Sequence, residues 1–461
     1  MTERRRSIHG EWSSRWVFVL AAVGSAVGLG NIWKFPYITG ENGGGAFVLV
    51  YLLCIVCIGV PIMMAEILIG RRGRQSPMNT MQTLAKEAGH SPYWRYLGWS
   101  GVLAGFLILS YYSVIAGWSL AYVVRSALGN FSGATADEVG SIFTSFLASP
   151  ETLLAWHTIF MVMTMVVVAR GVRGGLERAV RYLMPALLVL LLILVGYAMN
   201  TGAFGQGVSF LFNPDFSELS RDGVLVAMGH AFFTLSLGMG AIMIYGSYVP
   251  EKASIAKTTF IIAGADTAVA LLAGLAIFPV VFANNLEPGS GPGLLFVTLP
   301  IAFGNMPGGL IVGTLFFLMV VFAAWSSAIS LIEPAITWLV ENRGMNRLMA
   351  SLWAGIATWL LGILTVLSFN WWSFSFTFAG KEKTDGMFDI LDILTANFML
   401  PLGGLFVALF AGWIMSGKAT REELQLGDTM GYRLWRFLAR YVAPLGIMIV
   451  FLNVVGVIGN Q

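Results

Sequence analysis

Cysteine, charge and histidine are all scarce in this chain. It holds two cysteines in 461 residues, four histidines, and only 11% charged residues. A soluble domain carries about 25% charged residues, so the composition excludes a soluble domain of any size. The cysteines, Cys54 and Cys57, have the C-x-x-C spacing of redox and metal sites. They lie in an apolar run with no other cysteine and no histidine nearby, and read as packed thiols. The histidines, at 9, 90, 157 and 230, are dispersed. Neither a metal cluster nor the nucleophile–base set of a membrane enzyme follows from them. No small-residue cleavage site follows the first apolar stretch, so no signal peptide is expected.

What the chain has instead is apolar length: 57% of its residues are hydrophobic. A helix needs about 20 mostly apolar residues to cross lipid. Eleven stretches qualify: 17–38, 44–69, 97–125, 152–169, 182–199, 224–248, 258–284, 308–340, 348–369, 388–415 and 437–458. Helices are the element expected, because open sheet edges leave backbone groups unsatisfied in lipid. With the N-terminus on the cytoplasmic side, the cytoplasmic connections hold 22 of the Lys and Arg residues and the other side holds five. That bias fits the positive-inside rule and an odd number of spans. The net charge of +3 is therefore topology and not a nucleic-acid patch. The expected setting is the plasma (bacterial inner) membrane, with the lipid bilayer as the surrounding partner and the C-terminus outside the cytoplasm.

Two spans are badly made as plain membrane helices. The first has Gly24, Gly28 and Gly30, then Asn31, Lys34 and Pro36. The sixth has Gly229, Gly238, Gly240 and Gly246. If each unwinds near the midplane, its backbone groups lose their helical partners and must find others. Freed carbonyls can hold a small cation, and freed N–H groups at a half-helix start can hold a carboxylate. Five spans per repeat place the two interruptions in corresponding positions of an inverted pair, 17–199 and 224–415, with 437–458 as an extra helix. A channel would need repeated polar rings or carbonyls along a pore, which the sequence does not offer.

The stretches GSAVGLGNIWKFPY (24–37), ENGGGAF (41–47), FFTLSLGMGAI (232–242) and SSAISLIEP (326–334) resemble the neurotransmitter:sodium symporter family, in its bacterial amino-acid branch. The resemblance implies an all-α membrane protein with eleven transmembrane helices and a leucine-transporter-like 5+5 inverted repeat. Helices 1 and 6 are broken in that fold, and the activity implied is sodium-coupled amino-acid import. It implies two sodium sites. One would use carbonyls of Gly24, Val27 and Ala323 with the hydroxyls of Ser326 and Ser327. The other would use Ala26, Asn31, Thr234 and Asp266, the last standing where many relatives have Asn. A carboxylate inside the membrane reads as functional by default. Ala270, one turn further on, lacks the acid that some chloride-independent relatives carry. Asp266 is thus expected to supply the counter-charge itself, with no chloride required.

The same resemblance assigns a substrate pocket. Leu29 and Gly30 N–H groups and the Tyr112 hydroxyl would hold a carboxylate. Carbonyls of Ala26, Phe233 and Thr234, with the Ser236 hydroxyl, would hold the amine. Ile108, Tyr112, Phe233, Met239, Ser327 and Leu331 would line the side-chain pocket. Gly28 stands where monoamine transporters carry Asp, so the substrate should bring its own carboxylate. Met239 is unbranched and adaptable, which predicts tolerance of large aliphatic and aromatic side chains. An outer gate would join Lys34 to Asp392, with His230 beside them in a cluster of pH-dependent charge. An inner gate would set Trp12 against Glu341, with Ser247 and Tyr248 nearby. His9 stands where Arg is usual, so Arg6 or a neighbour would substitute. Glu66 would support the unwound sixth helix, and the Gly175-x9-Pro185 spacing would let the fifth span unwind to admit water. Two further readings share the fold: a non-transporting amino-acid sensor, and a transporter of another small zwitterion.

Overall fold

The computed structural model describes residues 5, 7–288, 293–378, 381–455 and 457. Among them, nine helices are long and apolar enough to cross a membrane: Gly45–Gly73, Pro92–Ala127, Pro150–Ala169, Val172–Ala198, Ile255–Ala283, Gly309–Arg343, Arg347–Ser368, Gly386–Ile414 and Met430–Val454. A tenth crossing is the bent pair Arg15–Ala26 and Gly30–Glu41, whose halves meet at 52°. The remaining expected span, 224–248, is the pair Arg221–Thr234 and Ala241–Ser247, each half too short to cross alone. The layout accords with eleven crossings, the first and sixth broken.

The breaks follow from the residues. Ser14 starts the first helix by accepting the Val17 N–H, and the helix stops where Val27 turns extended at ψ 103°. Helix resumes at Gly30 as a widened turn through Lys34, with Pro36 in the first turn of the next segment. In the sixth span, Ser236, Gly238 and Gly240 take φ of +55°, +81° and +76°. Three left-handed residues in five end any right-handed helix, and glycine removes the steric penalty at two of them.

Glycine also lets the lower half of the sixth span lie directly on the second. A Cβ on Gly70 would fall on the Met243 carbonyl, and one on Gly246 would sit 2.9 Å from Ile67 Cα. Small residues permit such backbone-to-backbone approach in membranes. The third and eighth spans meet the same way, a Cβ on Gly105 lying 2.8 Å from the Leu331 carbonyl.

The fifth span begins at Val172 and not at 182 as the apolar run suggested, because the charged stretch after Gly171 coils into a widened turn, Val172–Glu177. The longer connections carry structure of their own: helices Pro77–Glu87, Ala136–Leu147, Phe204–Phe212 and Leu294–Gly304, and a hairpin pairing Phe376–Phe378 with Lys381–Lys383.

Gly70→Ala should lower the thermal midpoint of the purified protein, by about 2 kcal/mol of overpacking strain. Gly264→Ala is the control, since nothing lies within 4 Å of its added methyl. Equal midpoints for the two variants would show that the second and sixth spans are not packed backbone to backbone.

Candidate functional site

The two interruptions face each other and are stitched to the seventh, third and eighth spans. Asn31 donates from Nδ2 to Asp266 Oδ1 at 2.8 Å and to the Asp266 carbonyl at 3.1 Å. The Thr234 hydroxyl donates to Asp266 Oδ2 at 3.0 Å. All three residues are buried. One carboxylate thus ties the first break to the sixth. With Asn31 Oδ1 it makes an oxygen-only set of the kind hard cations take. Asn31 Oδ1 also accepts the freed Gly28 N–H at 3.1 Å. Ala26, expected both in this group and in the substrate pocket, lines the central cavity.

On the other side of the first break, the Ser327 hydroxyl reaches three carbonyls of one turn. It donates towards Gly24, Ser25 and Val27 oxygens at 3.3, 3.1 and 3.2 Å. Ser326 bonds back along its own helix, to Phe322 and Ala323 carbonyls at 3.1 and 3.0 Å. A Cβ on Gly24 would lie 3.2 Å from Ser326 Cβ. Gly24, Val27, Ala323, Ser326 and Ser327 therefore form one buried oxygen-rich patch.

Against Ser327 and both breaks lies a small cavity of about 30 Å³. Its lining includes Ala26, Leu29, Gly30, Ile108, Tyr112, Phe233, Ser236, Met239, Ser327 and Leu331, every residue expected in the substrate pocket except Thr234. Thr234 turns to Asp266. The Tyr112 hydroxyl accepts the Leu29 N–H at 3.3 Å, and Ser236 donates to the Ser25 carbonyl at 2.9 Å. The volume has room for no more than a few waters, so a large side chain needs the lining to rearrange. Glu66 accepts the Gly238 N–H at 2.7 Å, holding the unwound sixth segment as expected.

Above the cavity a vestibule of about 450 Å³ opens on the side away from the N-terminus. It shares Leu29, Gly30, Tyr112 and Phe233 with the cavity below. Lys34 and Asp392 both line it, but among the described residues no ion pair joins them. Lys34 Nζ instead sits 4.7 Å over the Phe233 ring, while the Tyr111 hydroxyl reaches Asp392 at 3.5 Å and Thr395 at 3.1 Å. Among the described residues no hydrogen bond or ion pair joins His230 to Lys34 or Asp392. His230 is buried with its ring 6.0 Å from Phe35 and 5.5 Å from Tyr51, because its helix turns it towards the second span. On the vestibule rim, burial and the neighbouring Asp389 push the Asp385 carboxyl up.

The opposite side is shut. Trp12 is buried and donates from Nε1 to the Tyr245 carbonyl at 3.1 Å, and its own N–H reaches the Tyr248 carbonyl at 3.0 Å. Glu341 accepts the Ser76 N–H and Asn79 Nδ2, and lies 3.2 Å from His9 Nε2. His9 thus takes the place expected of an arginine itself, while Arg6 lies outside the described residues. Ser247 offers its carbonyl to Arg74 at 3.0 Å. Tyr248 donates to Glu333 at 2.9 Å, and Glu333 is held by Arg347 at 2.5 Å.

Sequence reasoning missed Ser25, Ser330 and the Glu333–Arg347 pair. Ser25 lines the cavity and donates to Ser330 at 2.7 Å. The three-residue spacing of Ser327 and Ser330 on one helix face was the available signal. Nothing local announces that Arg347, beyond the next turn of chain, folds back on Glu333.

The family model described as "Sodium:neurotransmitter symporter family" matches residues 9–140 and 149–460. The sodium-dependent transporter YhdH of Bacillus subtilis is 39% identical over 97% of this chain and 98% of its own length. A sodium-dependent transporter of Haemophilus influenzae is 33% identical over 96% and 97%. The crystal structure of MhsT in complex with L-phenylalanine aligns with a TM-score of 0.88 at 44% identity, covering 96% of this chain and 99% of that one.

A Cβ on Gly28 would lie 2.6 Å from Ser327 Oγ and 2.9 Å from the Tyr112 hydroxyl. Gly28→Ala should therefore weaken ligand binding by about 2 kcal/mol, on the order of thirtyfold. Equilibrium binding on the purified variant tests this. Unchanged affinity would mean that ligand does not bind against the first break.

Proposed function

The chain belongs to the sodium:neurotransmitter symporter family, and on that premise we propose that it imports hydrophobic L-amino acids, aliphatic and aromatic, together with sodium. One observation carries the reading: residues of both helix interruptions, Ala26, Leu29 and Gly30 of the first span and Phe233, Ser236 and Met239 of the sixth, line one cavity with Ser327, and Asp266 ties the same two interruptions together through Asn31 and Thr234. Gly28 puts no acid beside the cavity, so the substrate's ammonium must bring a carboxylate with it. Leu29 and Gly30 N–H groups and Tyr112 receive that carboxylate, which can share the cation held by Asn31, Thr234, Ala26 and Asp266. Carbonyls of Ala26, Phe233 and Thr234 and the Ser236 hydroxyl take the ammonium. Ile108, Met239 and Leu331 surround the side chain, and Met239 adapts its shape to it. That MhsT binds L-phenylalanine is in keeping with an aromatic-tolerant pocket.

Two sodium ions bind, the second at Gly24, Val27, Ala323, Ser326 and Ser327. Asp266 brings a full negative charge to the first, so no chloride is needed to complete it. The protein lies in the plasma membrane with its N-terminus in the cytoplasm and its C-terminus outside. Residues 17–199 and 224–415 are its inverted repeats, and 437–458 is the added helix.

The arrangement has access from the vestibule and closure at Trp12 and Glu341. Substrate and sodium enter past Lys34 and Asp392 and bind together between the broken helices. Their shared contacts offset the work of drawing Lys34 from the Phe233 ring towards Asp392 and closing that ring over the pocket. Lys34 is a compact point charge without the planar fork of Arg, so closure rests on one contact. Loss of sodium from Ser326 and Ser327 then loosens the first half-helix and frees Trp12.

Competition binding with radiolabelled tryptophan and leucine, in sodium, potassium or choline, with and without chloride, tests the reading. Binding of both that requires sodium and ignores chloride is expected. Binding indifferent to sodium would overturn it. Asp266→Asn should raise the half-saturating sodium concentration by about tenfold or make binding depend on chloride. Unchanged sodium and chloride dependence would remove Asp266 from the ion site.

A further inference from the structure

Glu177 is a buried carboxylate that transport as described above does not use. It is the last residue of the widened turn Val172–Glu177 that opens the fifth span, and only 6% of it is exposed. Its Oε1 accepts the Ser13 hydroxyl at 2.5 Å and Arg181 at 2.6 Å, and its Oε2 accepts the Ser13 N–H at 3.2 Å. Arg173, in the same turn, donates to the Glu11 carbonyl at 3.1 Å. Three bonds from one short turn therefore grip residues 11–13.

Those residues flank Trp12, the plug of the closed side, and lead directly into the first half-helix. At the other end of the same stretch, Met184 lies against the carbonyl patch. A Cβ on Gly24 would be 2.9 Å from its sulfur. The turn that holds the N-terminal segment and the side chain that covers Gly24 thus belong to one continuous helix. That helix starts with its least regular geometry: Gly171 sits at φ +83°, and the turns that follow are wider than α-helical.

From this we infer that Glu177 is a positioning residue. It fastens the cytoplasmic end of the first half-helix to the start of the fifth span and so keeps water from the Gly24–Ser326–Ser327 patch. The inference rests on the reading of that patch as a sodium site. While Ser13 is bound, the widened turn is pinned against the bundle and Met184 stays over Gly24. When the N-terminal segment leaves with Trp12, Glu177 loses two of its three donors at once, both from Ser13, and the turn is free to open. Release of the plug and wetting of the ion patch are then one event.

Hydrogen exchange on the full-length transporter in lipid nanodiscs, at saturating sodium, tests this with Glu177→Gln and Ser13→Ala, alongside sodium titrations of substrate binding. Both variants should speed exchange in 172–184 by about tenfold, the effect of losing a charge-assisted hydrogen bond. The buried third span should stay protected, which reports an intact fold. The half-saturating sodium concentration should rise severalfold while the maximal amount of bound substrate is unchanged, and Glu177→Asp should recover part of both effects. Protection of 172–184 equal to wild type in both variants overturns the inference. So does faster exchange with unchanged sodium dependence, which leaves Glu177 a structural cap alone. Failure of the ion assignment shows separately: in the wild type, segments 24–27 and 323–327 would then exchange equally in sodium and in choline.

Discussion

The structure depends on one requirement: backbone released from a helix inside an apolar body must still find hydrogen-bond partners. Six of the freed groups near the two breaks have one. Gly28 N–H goes to Asn31, Leu29 N–H to Tyr112, and Gly238 N–H to Glu66, while the Gly24, Ser25 and Val27 carbonyls receive Ser327. Most of these partners come from other spans, so the breaks are stable only inside the finished bundle. They are also the groups a carboxylate, an ammonium or a cation would engage. Folding and binding draw on the same atoms, and a ligand exchanges partners with them.

The buried charges obey the same logic. Asp266, Glu66 and Glu333 are fully buried, and a lone carboxylate there would be costly. Asp266 is met by Asn31 and Thr234, Glu66 by the Gly238 N–H, and Glu333 by Arg347 and Tyr248. Each acid joins a broken span, or the end of one, to a continuous neighbour. These three acids stand where the broken spans touch their continuous neighbours.

The two faces differ in how they are held. The side of the N-terminus is closed by aromatic burial of Trp12 and by bonds from His9, Ser76 and Asn79 to Glu341, with Arg74 on the Ser247 carbonyl. The vestibule side is crossed by no ion pair between Lys34 and Asp392 among the described residues. A single cation–aromatic contact from Lys34 to Phe233 stands in its place. A closed face held by many bonds, and an opposite face whose Lys34 and Asp392 stand apart, are what an alternating-access cycle needs at its outward stage.

The sequence by itself determined the helical, many-span body and the place of both breaks. Lipid leaves no other backbone solution for apolar runs of this length, and Gly28–Gly30 and Gly238–Gly240 can hardly continue a helix. The members expected in the cavity lining came through the resemblance of short motifs to a family, which carries positions over residue by residue. Only the tertiary structure decided who partners whom among long or mobile side chains. Lys34 can reach either Phe233 or Asp392, His9 reaches Glu341 across the closed face, and His230 turns to Phe35 and Tyr51. The start of the fifth span was hidden for the same reason: four of the ten residues 172–181 are charged, and Ser13, Glu11 and the fourth span bind this stretch. Periodicity and glycine placement are properties of the local chain. A partner is chosen by small differences in distance between helices that are hundreds of residues apart in sequence, and only packing sets those distances.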